Sequence, residues 1–281
     1  MSFVIDKQGN YLPVFGEATG GGGGGGGTTD HAELSHLDYA SSGHTGFMSS
    51  ANYIPKGTTI DVKTDGSGDY TTIPSALASL VGKWSDGSVT IQLGNGTFDV
   101  SSTQQISNTN FNIPKLIIKG SGISNTTINW ATTTDHADLF RVSGQKFEIK
   151  DCTIQHLNGT TSTDYRGIMS IDNAFTFCDN CAFVGINYAL WGFRAGDSAF
   201  ASCSFSDCAT PVVAEGGNIY IAWATTGTFT NITTALSVSG GGIIKGGYNS
   251  FTFTNVTNKV SQTPGTTNVN GWIAVSNSGL T

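Results

Sequence analysis

The fold is decided by residues 178–208, which read CDNCAFVGINYALWGFRAGDSAFASCSFSDC. In this stretch one short pattern occurs twice, because Cys181 and Cys203 are each followed two residues later by a phenylalanine. A pattern that returns at an interval of roughly 20–50 residues is typical of repeat architectures, in which each repeat stacks on the one before. The distance in sequence from Cys181 to Cys203 is at the short end of that range. The rest of the chain carries the same pattern at similar intervals.

Seven positions carry the pattern, and we call them the anchor residues. They are Gly96, Thr126, Cys152, Cys181, Cys203, Gly227 and Phe251. The residues two positions later are Phe98, Ile128, Ile154, Phe183, Phe205, Phe229 and Phe253. The intervals are longer and less regular before Cys181 and nearly constant after it, as the residue numbers of the anchors show. The pattern also predicts apolar core residues three positions before and five after each anchor, as at Ile123 and Ala131 around Thr126.

An interval in the low to middle twenties fits one coil of three short strands and three turns. In a parallel β-helix each coil lies about 4.8 Å above the last, so equivalent side chains stack. We therefore predict an all-β parallel β-helix of about seven coils over residues 86–260. A β-sandwich also has short strands and frequent turns, and it is the alternative fold. It does not explain why a single pattern returns at nearly constant intervals from Cys181 to Phe251.

The cysteines are expected to be free thiols inside the coil. The stack places Cys152, Cys181 and Cys203 in one inward row, with Cβ atoms about 4.8 Å apart. A disulfide needs a Cβ separation of about 3.8 Å, so stacked cysteines do not pair. The total of five cysteines is odd, which also argues against a disulfide framework.

A short helix is predicted ahead of the repeats. Six apolar residues recur at helical spacing and share one face: Ile73, Ala76, Leu77, Leu80, Val81 and Trp84. Pro74 suits the first turn of a helix. The strand before it, the turn GSGD at 66–69 and this helix resemble the N-terminal cap of pectin-lyase-like right-handed β-helices, found in polysaccharide lyases and many phage tailspikes. The resemblance implies a right-handed coil whose open end is covered by residues 58–85.

The charge and hydropathy of the chain exclude two kinds of partner. Its 13 Lys and Arg against 20 Asp and Glu give a net charge of −7, so we expect no nucleic-acid binding, which needs a basic surface. No stretch approaches the roughly 20 apolar residues of a membrane-spanning helix, and we expect no membrane insertion. We also expect no cofactor.

The N-terminal residues 1–19 are predicted to anchor the protein to a partner. They contain a few apolar side chains that are too few to form a core: Phe3, Ile5, Tyr11, Leu12, Val14 and Phe15. Residues 20–27 are eight consecutive glycines, a flexible linker with a span of roughly 16 Å. An apolar peptide on such a linker is suited to docking into another protein, and a frayed terminus is the alternative interpretation.

Residues 28–57 contain the segment HAELSHLDYASSGHTGF at 31–47. It resembles a segment of tail-fibre and related appendage proteins of tailed bacteriophages, which carry a similar His-x-x-Leu-x-x-Leu-x-Tyr followed by Ser-Gly-His-Thr-Gly-Phe. The resemblance implies a virion component that is assembled in the host cytoplasm and docks on a capsid, tail or baseplate protein. Similar fibres form trimers, so the resemblance also implies a homotrimer. His31, His36 and His44 are metal candidates across such chains, but histidines more often only form hydrogen bonds, and we predict no metal.

A candidate glycan site follows from counting back from the anchor residues. Nine residues before the anchors at 181, 203 and 227 lie Asp172, Arg194 and Asn218, and twelve before them lie Met169, Trp191 and Glu215. The count predicts a shallow groove in which a sugar ring packs on the Trp191 indole, while its hydroxyls bind Arg194, Glu215 and Asn218. A surface ladder of ion pairs, worth about 1 kcal/mol at most, is the alternative.

The sequence as a whole predicts a structural protein of a phage virion. It would be a tail fibre, a tailspike or a capsid-attached head fibre that contacts host-surface glycans, with residues 261–281 as a C-terminal cap. A polysaccharide depolymerase on the same fold is the alternative, with Asp172 and Glu215 as its candidate catalytic residues. Ionisable residues are sparse in the repeats, which argues against an enzyme. A decoration protein without a ligand is the third possibility.

Overall fold

The computed structural model describes residues 2–5, 11–14, 52–132, 136–156, 164–222, 226–246, 250–262 and 272–275. The chain forms two compact units, Met1–Phe47 and Met48–Thr281. In the first unit, strands β1 (Ser2–Ile5) and β2 (Tyr11–Val14) pair antiparallel, with Ser2 opposite Val14. Phe15, His31, His36, His44, the glycine run and the phage-like segment lie outside the described residues.

The described residues of the second unit are almost entirely in strands, with one helix near the start. In chain order its elements are β3 (Thr59–Val62), α1 (Ile73–Leu80), β4 (Ser88–Leu93), β5 (Gly96–Val100), β6 (Gln104–Ser107), β7 (Lys115–Lys119), β8 (Thr126–Trp130), β9 (Asp138–Ser143), β10 (Lys146–Gln155), β11 (Arg166–Ile171), β12 (Phe175–Val184), β13 (Tyr188–Phe193), β14 (Asp197–Ala201), β15 (Ser204–Ser206), β16 (Val212–Glu215), β17 (Asn218–Ile221), β18 (Thr226–Ser239), β19 (Ile243–Gly246), β20 (Ser250–Gln262) and β21 (Trp272–Val275).

These strands form a right-handed parallel β-helix with three faces, as predicted. Face A consists of β3, β4, β7, the first halves of β10 and β12, β14, β17, β19 and β21. Face C consists of β5, β8, the second halves of β10 and β12, β15 and the starts of β18 and β20. Face B consists of β6, β9, β11, β13, β16 and the ends of β18 and β20. Each coil passes through faces A, C and B in that order.

The register on face C confirms the predicted row of anchor residues. Cys152 pairs with Cys181, and Gly96 pairs with Thr126. Gly227 pairs with Phe251 at the other end of the row. The pairs Thr153–Thr127, Ala182–Ser204 and Ser204–Thr228, each one residue further along, place the remaining anchors in the same line. The sequence interval therefore measures one coil, and the β-sandwich is wrong.

The row two residues after the anchors forms the centre of the core. Phe183, Phe205 and Phe229 are fully buried, and Phe253 continues their stack. Consecutive ring centroids are 5.3, 5.0 and 5.3 Å apart, with interplanar angles of 10°, 20° and 14°. Offset aromatic stacking at this distance adds about 0.5–1.5 kcal/mol per pair to the area that is buried.

All five cysteines are buried and free, as expected. The thiols of Cys181, Cys203 and Cys208 lie against backbone carbonyls, as Cys203 Sγ does against the Cys178 carbonyl at 3.6 Å. Burial raises the pKa of Cys181 and Cys203 well above the ordinary value and that of Cys208 to about 12. A thiol that stays protonated is a poor nucleophile, so these residues act as small apolar core groups.

Sharp corners between faces A and C are made by residues in the left-handed conformation. Asp151 and Asn180 have φ of 56° and 51°, and the Asn180 amide donates to Asp151 Oδ1 at 2.8 Å. A second ladder follows face C, where Asn255 donates to Asn231 and Asn231 donates to Asp207, at 3.0 and 2.9 Å. Asn and Asp tolerate positive φ better than other side chains, and stacking joins them by hydrogen bonds from coil to coil.

Helix α1 covers the first coil, as predicted for the N-terminal cap. Thr72 caps it by accepting from the Ser75 amide, and Ile73, Ala76, Leu77 and Leu80 join the core. The prediction extended this face too far, because the helix ends at Leu80 and the Val81 side chain is 54% exposed. Val81 adopts extended backbone geometry, so it leaves the helical spacing on which the prediction depended.

Two further predicted core positions are wrong. Ile123 is 42% exposed and Ala131 is exposed. Ile149 stacks instead on Ile118, the last buried residue of β7. For Ile123 the reason is the long turn between β7 and β8, which adds residues to this coil ahead of its anchor, whereas Ala131 lies just after the end of β8.

The C-terminal residues that the structure describes extend the stack. Strand β21 pairs in parallel with β19, with Trp272 opposite Ile243. Within the described residues, no helix has the length and hydrophobicity that crossing a membrane requires.

Candidate functional site

Face B and the turns that follow it carry the predicted site residues except Asn218, which begins β17 on face A. The register shows which of them stack. Arg141, Met169, Trp191 and Val213 form one outward row across β9, β11, β13 and β16. Ser143, Ile171, Phe193 and Glu215 form the next row. Trp191 therefore lies over Met169, as the count predicts.

Glu215 does not stack on Trp191, contrary to prediction. It pairs with Phe193, and Val213 takes the place above Trp191. Counting back twelve residues from Gly227 reaches Glu215 because residues 222–225 lengthen the connection between β17 and β18. These extra residues lie between the face B strand and the anchor residue Gly227. A position on face B that is found by counting back from Gly227 is therefore shifted.

The predicted row of Asp172, Arg194 and Asn218 is correct for its first two members only. Asp172 and Arg194 are neighbours, joined by a bond from the Asp172 amide to the Arg194 carbonyl at 3.2 Å. Asn218 lies over Asp197 instead and donates to its carboxylate at 2.7 Å. Three residues separate β13 from β14, but only Gly216 and Gly217 separate β16 from β17, so the register changes at this turn.

Asp172 and Glu215, the candidate catalytic pair, lie in different coils. Asp172 lies beside Arg194 in the next coil, and the Arg194 amide in turn donates to the Glu215 carbonyl at 3.3 Å. Asp172 also accepts a hydrogen bond from the Ser143 hydroxyl at 3.3 Å. The backbone of Arg194 therefore lies between those of Asp172 and Glu215 along the stack.

The contact that the sequence interpretation missed is that of Arg166 with Trp191. The Arg166 guanidinium carbon lies 4.2 Å from the centre of the indole, the geometry of a cation–π pair. Tyr188 packs on the same indole, with ring centroids 5.0 Å apart. Arg166 and Tyr188 both lie fifteen residues before an anchor cysteine, so extending the count by three positions would have found them.

A buried carboxylate, Asp138, holds the two arginines of this site in position. Its side chain is fully buried, and Arg141 donates to Oδ2 from Nε at 2.6 Å. The Arg166 Nη1 atom lies 3.6 Å from Oδ1. Burial raises the pKa of Asp138, although both arginines oppose the change. The consecutive residues Leu139 and Phe140 are both buried, so strand alternation is broken next to Asp138.

A second carboxylate, Asp164, links the other side of Arg166 to the loop ahead of β9. Its Oδ2 lies 3.9 Å from Arg166 Nη2 and 2.8 Å from His136 Nδ1. Burial raises the pKa of the Tyr188 phenol, and the charge of Asp164 with its hydrogen bond to the phenol raises it further. Tyr188 therefore remains a neutral hydroxyl that can donate and accept hydrogen bonds.

Arg141 and Arg166 also line a groove of about 270 Å³ on face B. Its walls include Arg141, Arg166, Ile171, Asp172, Phe193 and Arg194. The Arg194 guanidinium lies 4.8 Å from the centre of the Phe193 ring. Three guanidinium groups and the carboxylates of Asp138, Asp164 and Asp172 balance in formal charge. The surface thus offers half-buried aromatic rings beside fixed donors and acceptors.

The comparisons with known proteins concern the fold. No family model matches the sequence, and no curated protein matches it. Among solved structures, a pectin methylesterase variant in complex with a hexasaccharide is similar, with 14% identity over 70% of this chain and 79% of that chain and a TM-score of 0.45. For the pectin methylesterase from carrot these values are 13%, 80%, 84% and 0.41, and for that from Aspergillus niger 14%, 79%, 85% and 0.42. The assignment of the β-helix rests on the strand register and not on these similarities.

Proposed function

We propose that the protein binds a glycan chain in the groove on face B. The observation that carries the proposal is the stack of Arg166, Trp191 and Tyr188, of which Arg166 also lines that groove. A sugar ring has an apolar face that packs on an aromatic ring and hydroxyls that need several oriented partners. Trp191 supplies the first requirement, and Arg141, Asp172 and Arg194 supply the second.

The fixed positions of these side chains support a binding site that is already formed before the ligand binds. Arg141 and Arg166 are fixed by the buried Asp138, and Arg166 is also fixed against the indole. Side chains that are already ordered lose little conformational freedom when a ligand binds. The ring faces and guanidinium groups therefore keep one geometry with or without a ligand.

Replacing Trp191 by alanine is expected to weaken glycan binding at least tenfold, because it removes the ring on which the sugar packs. Arg166→Gln should also weaken binding, since it removes the cation that fixes the indole. Isothermal titration calorimetry with a panel of defined oligosaccharides measures both effects. Tyr53→Ala is the matched control, because Tyr53 is a 36% exposed aromatic residue that precedes β3, the first strand of the β-helix.

Two results would contradict this proposal. Equal affinities of Trp191→Ala, Arg166→Gln and the unmodified protein would place the glycan elsewhere. Turnover of a polysaccharide, read from reducing ends or unsaturated-uronate absorbance and lost in Asp172→Ala or Glu215→Ala, would replace the binding function by the depolymerase alternative.

We further propose that the protein is a structural component of a phage virion, attached through residues 1–19. The support is the resemblance of residues 31–47 to phage appendage proteins, together with the glycine linker at 20–27. The β-helix would then be displayed for contact with host-surface glycans as part of a tail fibre, tailspike or head fibre. Trimer formation and a capsid, tail or baseplate partner belong to the same proposal.

Deleting residues 1–19 is expected to leave the β-helix folded and to abolish incorporation into virions. Among the residues whose side chains the structure describes, those of the core and those packed against it lie between Ile54 and Val256, outside the deleted segment. Circular dichroism measures folding, and immunoblotting of purified particles measures incorporation. Incorporation of the shortened protein at the normal level would rule out the anchor.

A further inference from the structure

A second groove lies on face A, away from the face that carries Trp191. We call it the Phe175 groove. Strands β10 and β12 supply two pairs of neighbouring residues to its lining. Lys146 is opposite Phe175, and Glu148 is opposite Phe177. Lys115 of β7 completes the lining, and the groove has a volume of about 520 Å³. This volume is within the range of about 300–1,000 Å³ that small-molecule sites occupy.

The floor of the Phe175 groove is aromatic. Phe175 is 39% exposed, and Phe177 on the same side of the strand is half-buried. Phe147 also lines the groove and belongs to the core, since it is only 1% exposed. An exposed phenylalanine on a flat parallel sheet has no role in packing the core, since the inward residues of the same strand already fill it.

The rim of the groove carries one cation that is not neutralised. Glu148 is held by Lys115 and Lys150, whose Nζ atoms lie 2.8 and 2.9 Å from its two carboxylate oxygens. Burial opposes ionisation of Glu148, but these two hydrogen bonds outweigh it and lower its pKa. Among the described residues, none forms an ion pair with Lys146, which is exposed. Lys146 thus presents a positive charge beside the Phe175 ring.

We propose that the Phe175 groove binds an anionic sugar unit. The sugar ring packs on Phe175 and Phe177, and its carboxylate or phosphate group pairs with Lys146. Charge complementarity selects this occupant, because Lys115 and Glu148 of the lining are bonded to each other and the charge of Lys146 is left over. The site differs from the groove on face B, whose arginines and aspartates balance. It lies beyond the proposed function, since it adds a second class of ligand on another face.

The test uses the full-length protein and three trisaccharide probes, measured by isothermal titration calorimetry. One probe carries carboxylates (trigalacturonate), one carries a phosphate (maltotriose phosphate), and one is neutral (maltotriose). We expect one or both charged probes to bind at least tenfold more tightly to the unmodified protein than to Phe175→Ala or Lys146→Ala. We also expect the binding of the charged probes to weaken as salt rises, because the ion pair at Lys146 is exposed. The carboxylate and phosphate arms show which anion is preferred.

Matched controls separate this site from general effects of charge and hydrophobicity. Ile123→Ala removes a comparably exposed apolar side chain, and Lys56→Ala removes an exposed cation outside the groove. Both should keep the affinity of the unmodified protein. Charged-probe affinities that are the same in Phe175→Ala, Lys146→Ala and the controls would overturn the proposal, as would the binding of no charged probe. A concentration-dependent rise in mass that Phe175→Ala abolishes would also overturn it, since the occupant would then be a second copy of the chain.

Discussion

Replacing Phe205 by alanine is expected to lower the free energy of unfolding by about 4 kcal/mol. Phe205 is fully buried and lies between Phe183 and Phe229, with ring centroids 5.3 and 5.0 Å away. The substitution opens a cavity in the middle of the coil. The hydrogen-bonded ladders above and below keep the coils in place, so the cavity cannot collapse without breaking strand pairs.

Urea denaturation followed by circular dichroism measures this loss. Phe175→Ala is the matched control, because it removes the same side chain from the surface and should cost less than about 1 kcal/mol. A similar stability for the two variants would mean that the aromatic row is not the centre of the core.

Replacing Gly196 by alanine is expected to lower the free energy of unfolding by about 3 kcal/mol. Gly196 ends the turn between β13 and β14, where Arg194 and Ala195 have φ of 44° and 62°. A Cβ atom on Gly196 would overlap the carbonyl of Ser170 in the preceding coil. Neither backbone segment can move away easily, because the Asn218 amide bonds to the Gly196 carbonyl at 3.0 Å.

The matched control for this variant is Gly94→Ala. A Cβ on Gly94 would meet a side-chain carbon of Lys63 at 3.0 Å, and that side chain can move aside. Thermal unfolding of both variants therefore separates backbone overlap from the general effect of replacing glycine. A midpoint for Gly196→Ala equal to that of Gly94→Ala would show that the coils are further apart at this turn.

The core was predictable because the strands of face C have a constant relation to the anchor residues. The interval from Cys152 to Cys181 is longer than that from Cys181 to Cys203, yet all three cysteines fall in one row. Variable intervals are absorbed by turns outside the pattern. A side chain within a few residues of an anchor, such as Phe205, is therefore placed correctly whatever the length of the coil.

The site was predictable only in part, because its residues are counted through turns. Asp172 and Arg194 were placed together correctly. Glu215 and Asn218 were misplaced, since the connection after β17 is longer and the turn before it is shorter than in the preceding coil. Asp138 and Arg141 lie three residues apart in β9, but Arg166 comes from β11 in the next coil, at a sequence distance from Asp138 that does not match the interval between later anchor residues.

The sequence by itself determined that the chain forms a coil of stacked strands, with cysteine and phenylalanine in adjacent inward rows. It did so because equivalent positions in successive coils stack on one another and share the same environment. The same type of residue therefore recurs at these positions in the sequence. Only the tertiary structure decided which polar residues meet on faces A and B. Hydrogen bonding between strands fixes register within a face, but turns of unequal length reset it from one face to the next.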